Sequence, residues 1–317
     1  MGTNLIDFYR SHRAQDLVNW DISTPRNAEH KDLWFPLDLT DGRTLSEALA
    51  RYRPDVIFHL GARTDLSGKS VADYSANVDG VANLIQAVQQ ISPIPRVIFA
   101  SSRLVCRIGY EPRTENDYCP PNPYGESKVC GEQIIRETAG NEFDWLIVRP
   151  TSIWGPWFRT PYRDFFDAVA QGRYLHPSGK KIYKSFGFVG NTCVQLDQLM
   201  FAGFGQTNHQ TIYLADYPPL EVHEWSNEIS RYLGRSEVKT VPVSILRLLA
   251  RSGDLSTWLG ISPPLTTFRL NNLLTHMVHD TALLQQLVGE LPFSLSEATR
   301  LTVDWLEKSV RQTPDAF

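Results

Sequence analysis

The 317-residue chain predicts an α/β fold, a doubly wound parallel sheet with a smaller, mostly helical C-terminal lobe. Three observations predict it. Strand-like and helix-like segments alternate as far as Pro150. Two of the strands, Val56-Ile57-Phe58 and Val97-Ile98-Phe99-Ala100, are continuous apolar runs, the pattern of strands covered on both faces. After Pro150 the alternation stops, and Trp154-Gly155-Pro156-Trp157 opens a turn-rich aromatic stretch.

Taken in order, residues 5–11 read as the end of a helix and 16–21 as a short strand closing on Asp21. A further short extended run precedes Asp38-Leu39. Residues 44–52 form a helix, 54–60 a strand, 72–90 a long helix, 96–101 a strand, 124–138 a helix and 145–149 a strand. Such alternation implies right-handed crossovers with helices on both sheet faces, and ligands bound beyond the carboxyl ends of the strands. In the remainder, 161–171, 222–233 and 243–251 read as helices and 213–216 as a short strand. The stretch 292–310 closes the chain as a helix, with Ser294 or Ser296 as its N-cap. Trp154 and Trp157 read as lobe core.

Composition narrows the function. With 42% hydrophobic residues, 21% charged and a net charge of -4, nothing suggests a polyanion-binding surface, so nucleic acid is not an expected partner. No apolar run approaches the roughly 18 residues of a membrane span, and no signal-peptide pattern opens the chain. The four cysteines, Cys106, Cys119, Cys130 and Cys193, contain no C-x-x-C pair, which suggests reduced thiols in a cytoplasmic protein. His276 and His279 lack a third ligand in view, so no metal site is expected.

Chemistry concentrates in Tyr124-Gly125-Glu126-Ser127-Lys128. A tyrosine and a lysine four apart share one helix face. An ammonium beside a phenol favours the phenolate, and a phenol titrating nearer neutrality can move a proton on and off an alcohol. A hydroxyl from Ser101-Ser102, at the end of the preceding strand, can hold the same oxygen. Taken alone, a packed tyrosine and a solvated lysine give the same spacing, and the two serines can simply cap the next element. The strand before and the Arg149-Pro150 strand after favour the chemical reading.

Met1-Gly2-Thr3-Asn4-Leu5 opens inside a helix. A doubly wound nucleotide fold has a central strand and a glycine-rich turn ahead of that helix. The expectation is therefore a sheet lacking its central strand, between the strands ending at Asp21 and Leu60, and lacking the backbone amides that grip a pyrophosphate. Gly2 is either the last glycine of that turn or an ordinary second residue.

Over nearly its whole length the chain resembles the extended short-chain dehydrogenase/reductase family, especially its NAD-dependent nucleotide-sugar epimerases and dehydratases. The resemblance implies a Rossmann-like fold and NAD as cofactor. Gly2 matches the third glycine of Gly-x-x-Gly-x-x-Gly, Asp21 the acid on the adenosine ribose, and Asp38-Leu39 the pair beside the adenine. His59-Leu60-Gly61-Ala62 resembles the cofactor-lining His-Leu-Ala-Ala segment. Asn77 falls in Tyr74-Ser75-Ala76-Asn77-Val78-Asp79-Gly80, the family's Tyr-x-x-Asn-Val-x-Gly helix. Ala100-Ser101-Ser102 matches the strand end that carries the catalytic hydroxyl, placed on Ser102, with Ser101 against the cofactor. Tyr124 and Lys128 match the catalytic tyrosine and lysine. Ser152 and Arg269 fall at substrate-binding positions, although Ser152 replaces a common asparagine and Arg269 reads equally as an exposed structural arginine.

The resemblance further implies a cofactor domain over 1–155, rejoined by about 186–217, and a substrate lobe over 156–185 and 218–317. It implies a homodimer through the helices 72–90 and 124–138. The reaction it implies is oxidation of a nucleotide-sugar substrate to a transient keto-sugar. Arg103-Leu104 stands where dehydratases carry an acid pair, which favours epimerase or dehydrogenase. A reductase or hydroxysteroid-type dehydrogenase on the same fold, and an inactive remnant acting as a scaffold, remain open.

Overall fold

The computed structural model describes residues 1–12, 16–159, 162–202, 207–258, 263 and 265–312. The chain forms two compact units. The first comprises Met1–Thr151, Asn191–Leu214 and Asp280–Glu290, and the second Ser152–Gly190, Ala215–His279 and Leu291–Phe317.

In the first unit, α1 (Gly2–His12) leads to β1 (Asn19–Asp21), β2 (Trp34–Pro36), α2 (Gly42–Tyr52), β3 (Val56–His59), α3 (Ser75–Val88), β4 (Arg96–Ala100), α4 (Pro123–Ile134) and β5 (Trp145–Pro150). A last strand, Thr211–Leu214, pairs beside β5. Four strands make one parallel sheet in the order 211–214, β5, β4, β3. Its register sets Ile57 opposite Val97 and Phe99 opposite Ile147. Every residue of β5 is buried, which explains why its sequence shows no alternation.

Local chemistry sets the helix boundaries. The Asp41 carboxylate accepts the Thr44 N–H at 3.1 Å and starts α2, and Arg53 stops it in the left-handed region at φ 43°. Leu45 and Leu49 on α2 and Leu84, Ile85 and Val88 on α3 are buried with Val97, Phe99 and Ile147 from the sheet. This cluster is the core of the unit. Trp20 and Ile57 pack against it, one from β1 and the other from β3. Among the described residues, however, β1 is paired with β2 alone and β3 with β4 alone. The sheet is in two pieces at that place.

The helix Val189–Phe201 was not anticipated, because its polar residues Asn191, Thr192, Gln195 and Asp197 are buried along with its apolar ones, so polarity does not separate a core face from a solvent face. The helix Ala282–Val288 groups with the first unit, whereas the sequence reading placed it in the lobe. The fourth strand runs two residues earlier than expected, over Thr211–Leu214.

The second unit contains the helices Tyr162–Ala170, Val222–Tyr232, Val243–Trp258, Thr267–Leu274 and Leu295–Gln312. Pro161, expected to open the first of these, lies outside the described residues. Trp154 is fully buried against Phe166, Phe188 and Trp225, with ring centroids 5.0–5.9 Å apart. Trp157 meets Trp305 at 5.8 Å. The Ser294 hydroxyl accepts the Glu297 N–H at 3.3 Å at the start of the closing helix, while Ser296 bonds Tyr232 and Glu228 instead. No helix among the described residues is long and apolar enough to cross a membrane.

Candidate functional site

The candidate site grows from the carboxyl end of β4. That apolar strand ends at Ala100, and the next two residues, Ser101 and Ser102, are buried hydroxyls. Ser102 Oγ accepts the Leu104 N–H at 3.1 Å and so caps the short turn Arg103–Val105. Ser101 Oγ donates to Glu132 Oε1 at 2.5 Å. Both serines therefore have a structural duty whatever chemistry they serve.

Next to them stands α4. Its start is encoded twice. Asn122 Oδ1 accepts the Gly125 N–H at 2.9 Å, and Pro123 occupies the first turn, where its missing N–H costs nothing. The first turn then presents Tyr124, Gly125, Ser127 and Lys128 inward, and all four are buried. Gly125 is required by closeness: a Cβ there would lie 2.3 Å from the Leu104 carbonyl oxygen. The helix thus rests against the turn that Ser102 caps. Tyr124 packs on Tyr74 with ring centroids 5.9 Å apart.

The Lys128 ammonium donates to the Ala100 carbonyl at 2.9 Å, one residue before the serine pair. Burial pulls its pKa down from 10.5 to about 8, against the opposing field of Glu132. His59, the last residue of β3, is buried edge-on against Phe99. Burial, and then the Lys128 charge, press its pKa down to about 3, so its imidazole is neutral. Lysine, histidine and both serines thus gather at the carboxyl ends of neighbouring parallel strands, where doubly wound sheets take their ligands.

Glu132, which sequence reasoning did not single out, joins these parts. Its carboxylate accepts from Ser101, from Arg149 Nε at 2.8 Å and Nη2 at 2.6 Å, and from the Tyr118 hydroxyl at 2.9 Å. Both members of the Glu132–Arg149 pair are almost completely buried. The signal was present in the sequence. Arg149 sits in an otherwise apolar strand, and a buried guanidinium needs a carboxylate. Glu132 follows Lys128 by one helical turn.

The other expected residues fall as follows. Asp21 ends β1, exposed, with Oδ1 accepting the Ser23 N–H at 2.8 Å. Asp38 is exposed and accepts from the Thr40 N–H and hydroxyl, both at 2.8 Å. Leu60, Gly61 and Ala62 follow β3, and a Cβ on Gly61 would come within 2.8 Å of Leu39 Cδ1. Asn77 is buried, and its amide serves the protein itself. It donates to Arg63 O and Ser127 Oγ, each at 3.0 Å, and accepts the Arg63 N–H at 2.9 Å. It clamps the loop after β3 to α4. Gly2 begins α1, and a Cβ there would meet nothing within 4 Å. Ser152 is buried in a short strand and Arg269 exposed on Thr267–Leu274, where its Nη1 donates to Pro263 O at 3.1 Å. Both belong to the second unit.

Residues 1–174 match the model of the NAD dependent epimerase/dehydratase family. The chain belongs to that family. Its cofactor is NAD, and the first unit offers residues that fit a dinucleotide: acids and small residues at or just beyond the ends of β1, β2 and β3, among them Gly61, where Leu39 leaves no room for a side chain. Among relatives, an N-acetyl-alpha-D-glucosaminyl-diphospho-ditrans,octacis-undecaprenol 4-epimerase of Escherichia coli O157:H7 is 28% identical over 62% of this chain. The match spans 60% of that enzyme's length. A 3-beta-hydroxysteroid dehydrogenase of Mycolicibacterium neoaurum is 26% identical over 74% of this chain and 68% of its own. A UDP-glucuronic acid 4-epimerase from Bacillus cereus, solved with UDP-glucuronic acid and NAD, superposes with a TM-score of 0.71. That likeness covers 97% of this chain and 96% of the other at 16% identity, and it establishes the Rossmann-like fold.

Proposed function

We propose that the chain is an NAD-dependent enzyme of nucleotide-diphosphate sugars. It oxidises one sugar hydroxyl to a ketone and, as an epimerase, reduces the same carbon from the other face. The observation that carries this reading is the pairing of Tyr124 and Lys128, buried one turn apart on α4, with Lys128 anchored to the end of β4 beside Ser101-Ser102. The Tyr124 phenolate takes the hydroxyl proton. The Lys128 ammonium favours that phenolate. The Ser102 hydroxyl aligns the substrate oxygen, and its bond to the Leu104 N–H leaves its own proton for this purpose. NAD, when bound, would supply the hydride acceptor and donor for that carbon. Asp21, Asp38 and Leu39 hold its adenosine end, and Leu60, Gly61, Ala62, Asn77, Ser101 and Lys128 line the rest, with Gly2 at the diphosphate. In this reading Ser152 and Arg269 contact the nucleotide-sugar, and the enzyme is cytoplasmic.

The test is NAD reduction and product stereochemistry across a panel of nucleotide sugars. Inverted configuration at one carbinol supports the epimerase. Accumulated NADH with a ketone or acid product supports the dehydrogenase. The hydroxysteroid dehydrogenase relative keeps a second reading open, in which the substrate is an apolar alcohol. Competition by free nucleoside diphosphate against the alcohol substrate at saturating NAD separates the two, because only a sugar-nucleotide substrate shares its binding site with that competitor. The same proposal pairs two copies through α3 and α4, and a monomer by sedimentation equilibrium overturns that part.

A further inference from the structure

We propose that Cys106 and Cys119 form a reversible disulfide, made by reaction with a peroxide, that clasps the segment between Ser102 and Tyr124. The chain leaves the Ser102 turn through Val105 and Cys106 and comes back alongside itself at Cys119. The two cysteines face each other as an isolated parallel bridge. Its bonds run from the Arg107 N–H to Cys119 O at 2.8 Å and from the Cys119 N–H to Val105 O at 3.0 Å. Residues paired in this way lie about 4.8 Å apart across the ladder, with side chains on the same face. That spacing falls inside the roughly 4.4–6.8 Å between Cα atoms of a disulfide.

Both residues are free thiols. Cys106 is buried, with Sγ 3.3 Å from the Asp117 carbonyl oxygen, and Cys119 is partly exposed. Burial holds the Cys106 thiol above its usual range, against the Cys119 backbone hydrogen bond and the Arg149 charge. The two thiols differ in access. One meets a small oxidant first and the other waits behind it.

The chemistry balances in two steps. The Cys119 thiolate attacks one peroxide oxygen, so an S–O bond forms, the O–O bond breaks and water leaves. Cys106 sulfur then attacks the sulfenyl sulfur, so the S–S bond forms, the S–O bond breaks and a second water leaves. Two thiols lose two electrons and the peroxide gains them. An added dithiol reverses the change by exchange. The closed loop holds Tyr110, Asp117 and Tyr118, and Tyr118 reaches Glu132 at 2.9 Å. Oxidation therefore stiffens the connection between the serine strand end and the start of α4. None of this depends on which alcohol the enzyme oxidises.

Hydrogen peroxide applied to the native protein, followed by alkylation and trypsin, tests the proposal. Cleavage after Arg103, Arg107, Arg113 and Lys128 puts Cys106 in peptide 104–107, Cys119 in 114–128 and Cys130 in a third peptide. Peptides 104–107 and 114–128 should appear joined, reactive thiols should fall from four to two, and dithiothreitol should undo both effects. Cys119→Ser and Cys106→Ser should each abolish the joined peptide. If either variant fails to fold, differential alkylation of the unaltered protein still reads which thiols disappear together. Four thiols that stay reactive, a Cys119 oxidised without a partner, or a bond to Cys130 would each overturn the proposal. Hydrogen exchange gives the second measure: amides of 107–118 should slow on oxidation, and unchanged exchange would refute the clasp.

Discussion

Replacing Lys128 with methionine should make the protein more stable and inactive at once. The ammonium is buried, and its pKa is held near 8 instead of 10.5. At roughly 1.4 kcal/mol per pH unit, that displacement means the charged lysine costs about 3 kcal/mol at neutral pH. Methionine has similar length and no charge, so the variant is relieved of that cost. It also leaves the Ala100 carbonyl without its 2.9 Å donor, which returns about 1–2 kcal/mol. The net expectation is a gain of about 1–2 kcal/mol at pH 7. The pH dependence follows from proton counting. Below pH 8 the lysine is protonated in folded and unfolded chains alike, and its cost is fully present. Between about 8 and 10.5 the folded chain has released a proton that the unfolded chain keeps, so wild-type stability rises through that window. The variant lacks this slope, and its advantage shrinks accordingly. His59 and Glu132 share the environment, as does Tyr124 in the proposed chemistry, and all three are common to the two proteins. Urea unfolding of both proteins at pH 7 and pH 10 reads the difference. A variant less stable at pH 7, or an advantage that does not change between the two pH values, refutes the reasoning.

Three further outcomes are expected. Tyr124→Phe should cut NAD-linked turnover by orders of magnitude while leaving the urea midpoint nearly unchanged, and near-normal activity would remove the catalytic assignment. Gly125→Ala should lose about 1–3 kcal/mol of stability, because its new Cβ would lie 2.3 Å from Leu104 O; an unshifted midpoint would contradict the close approach. Glu132→Ala should cost about 3–5 kcal/mol by leaving Arg149 buried without its counter-charge. In the double variant Glu132→Leu, Arg149→Met much of that loss should return, and a double variant as unstable as the single one would show that packing, not charge, is at stake.

The parallel sheet was legible because Val97-Ile98-Phe99 is buried and stands out as an unbroken apolar run; Val56-Ile57-Phe58 reads the same way in sequence, but these three residues are only partly buried. The start of α4 was legible because Asn122 and Pro123 are strong local signals, and the Tyr124–Lys128 spacing follows from helix geometry. Val189–Phe201 was hidden for a different reason: Asn191, Thr192, Gln195 and Asp197 are polar yet buried, so the sequence suggests a solvent face that the fold does not use. The role of Asn77 was only half legible. Its place on α3 was expected, but its bonds to Arg63 and Ser127 depend on a loop whose path no local pattern encodes. Glu132 and Arg149 are separated by 17 residues, and their union exists only once α4 lies against β5.

That union sets limits on how the sequence can drift. One carboxylate answers at the same time to a serine, a guanidinium and a phenol drawn from β4, β5 and the loop ahead of α4. No single one of the four can change its polarity without stranding the others, so these positions must vary as a set. Engineering of α4 therefore has to keep all four, and changes to its outer face also bear on the proposed pairing of two copies.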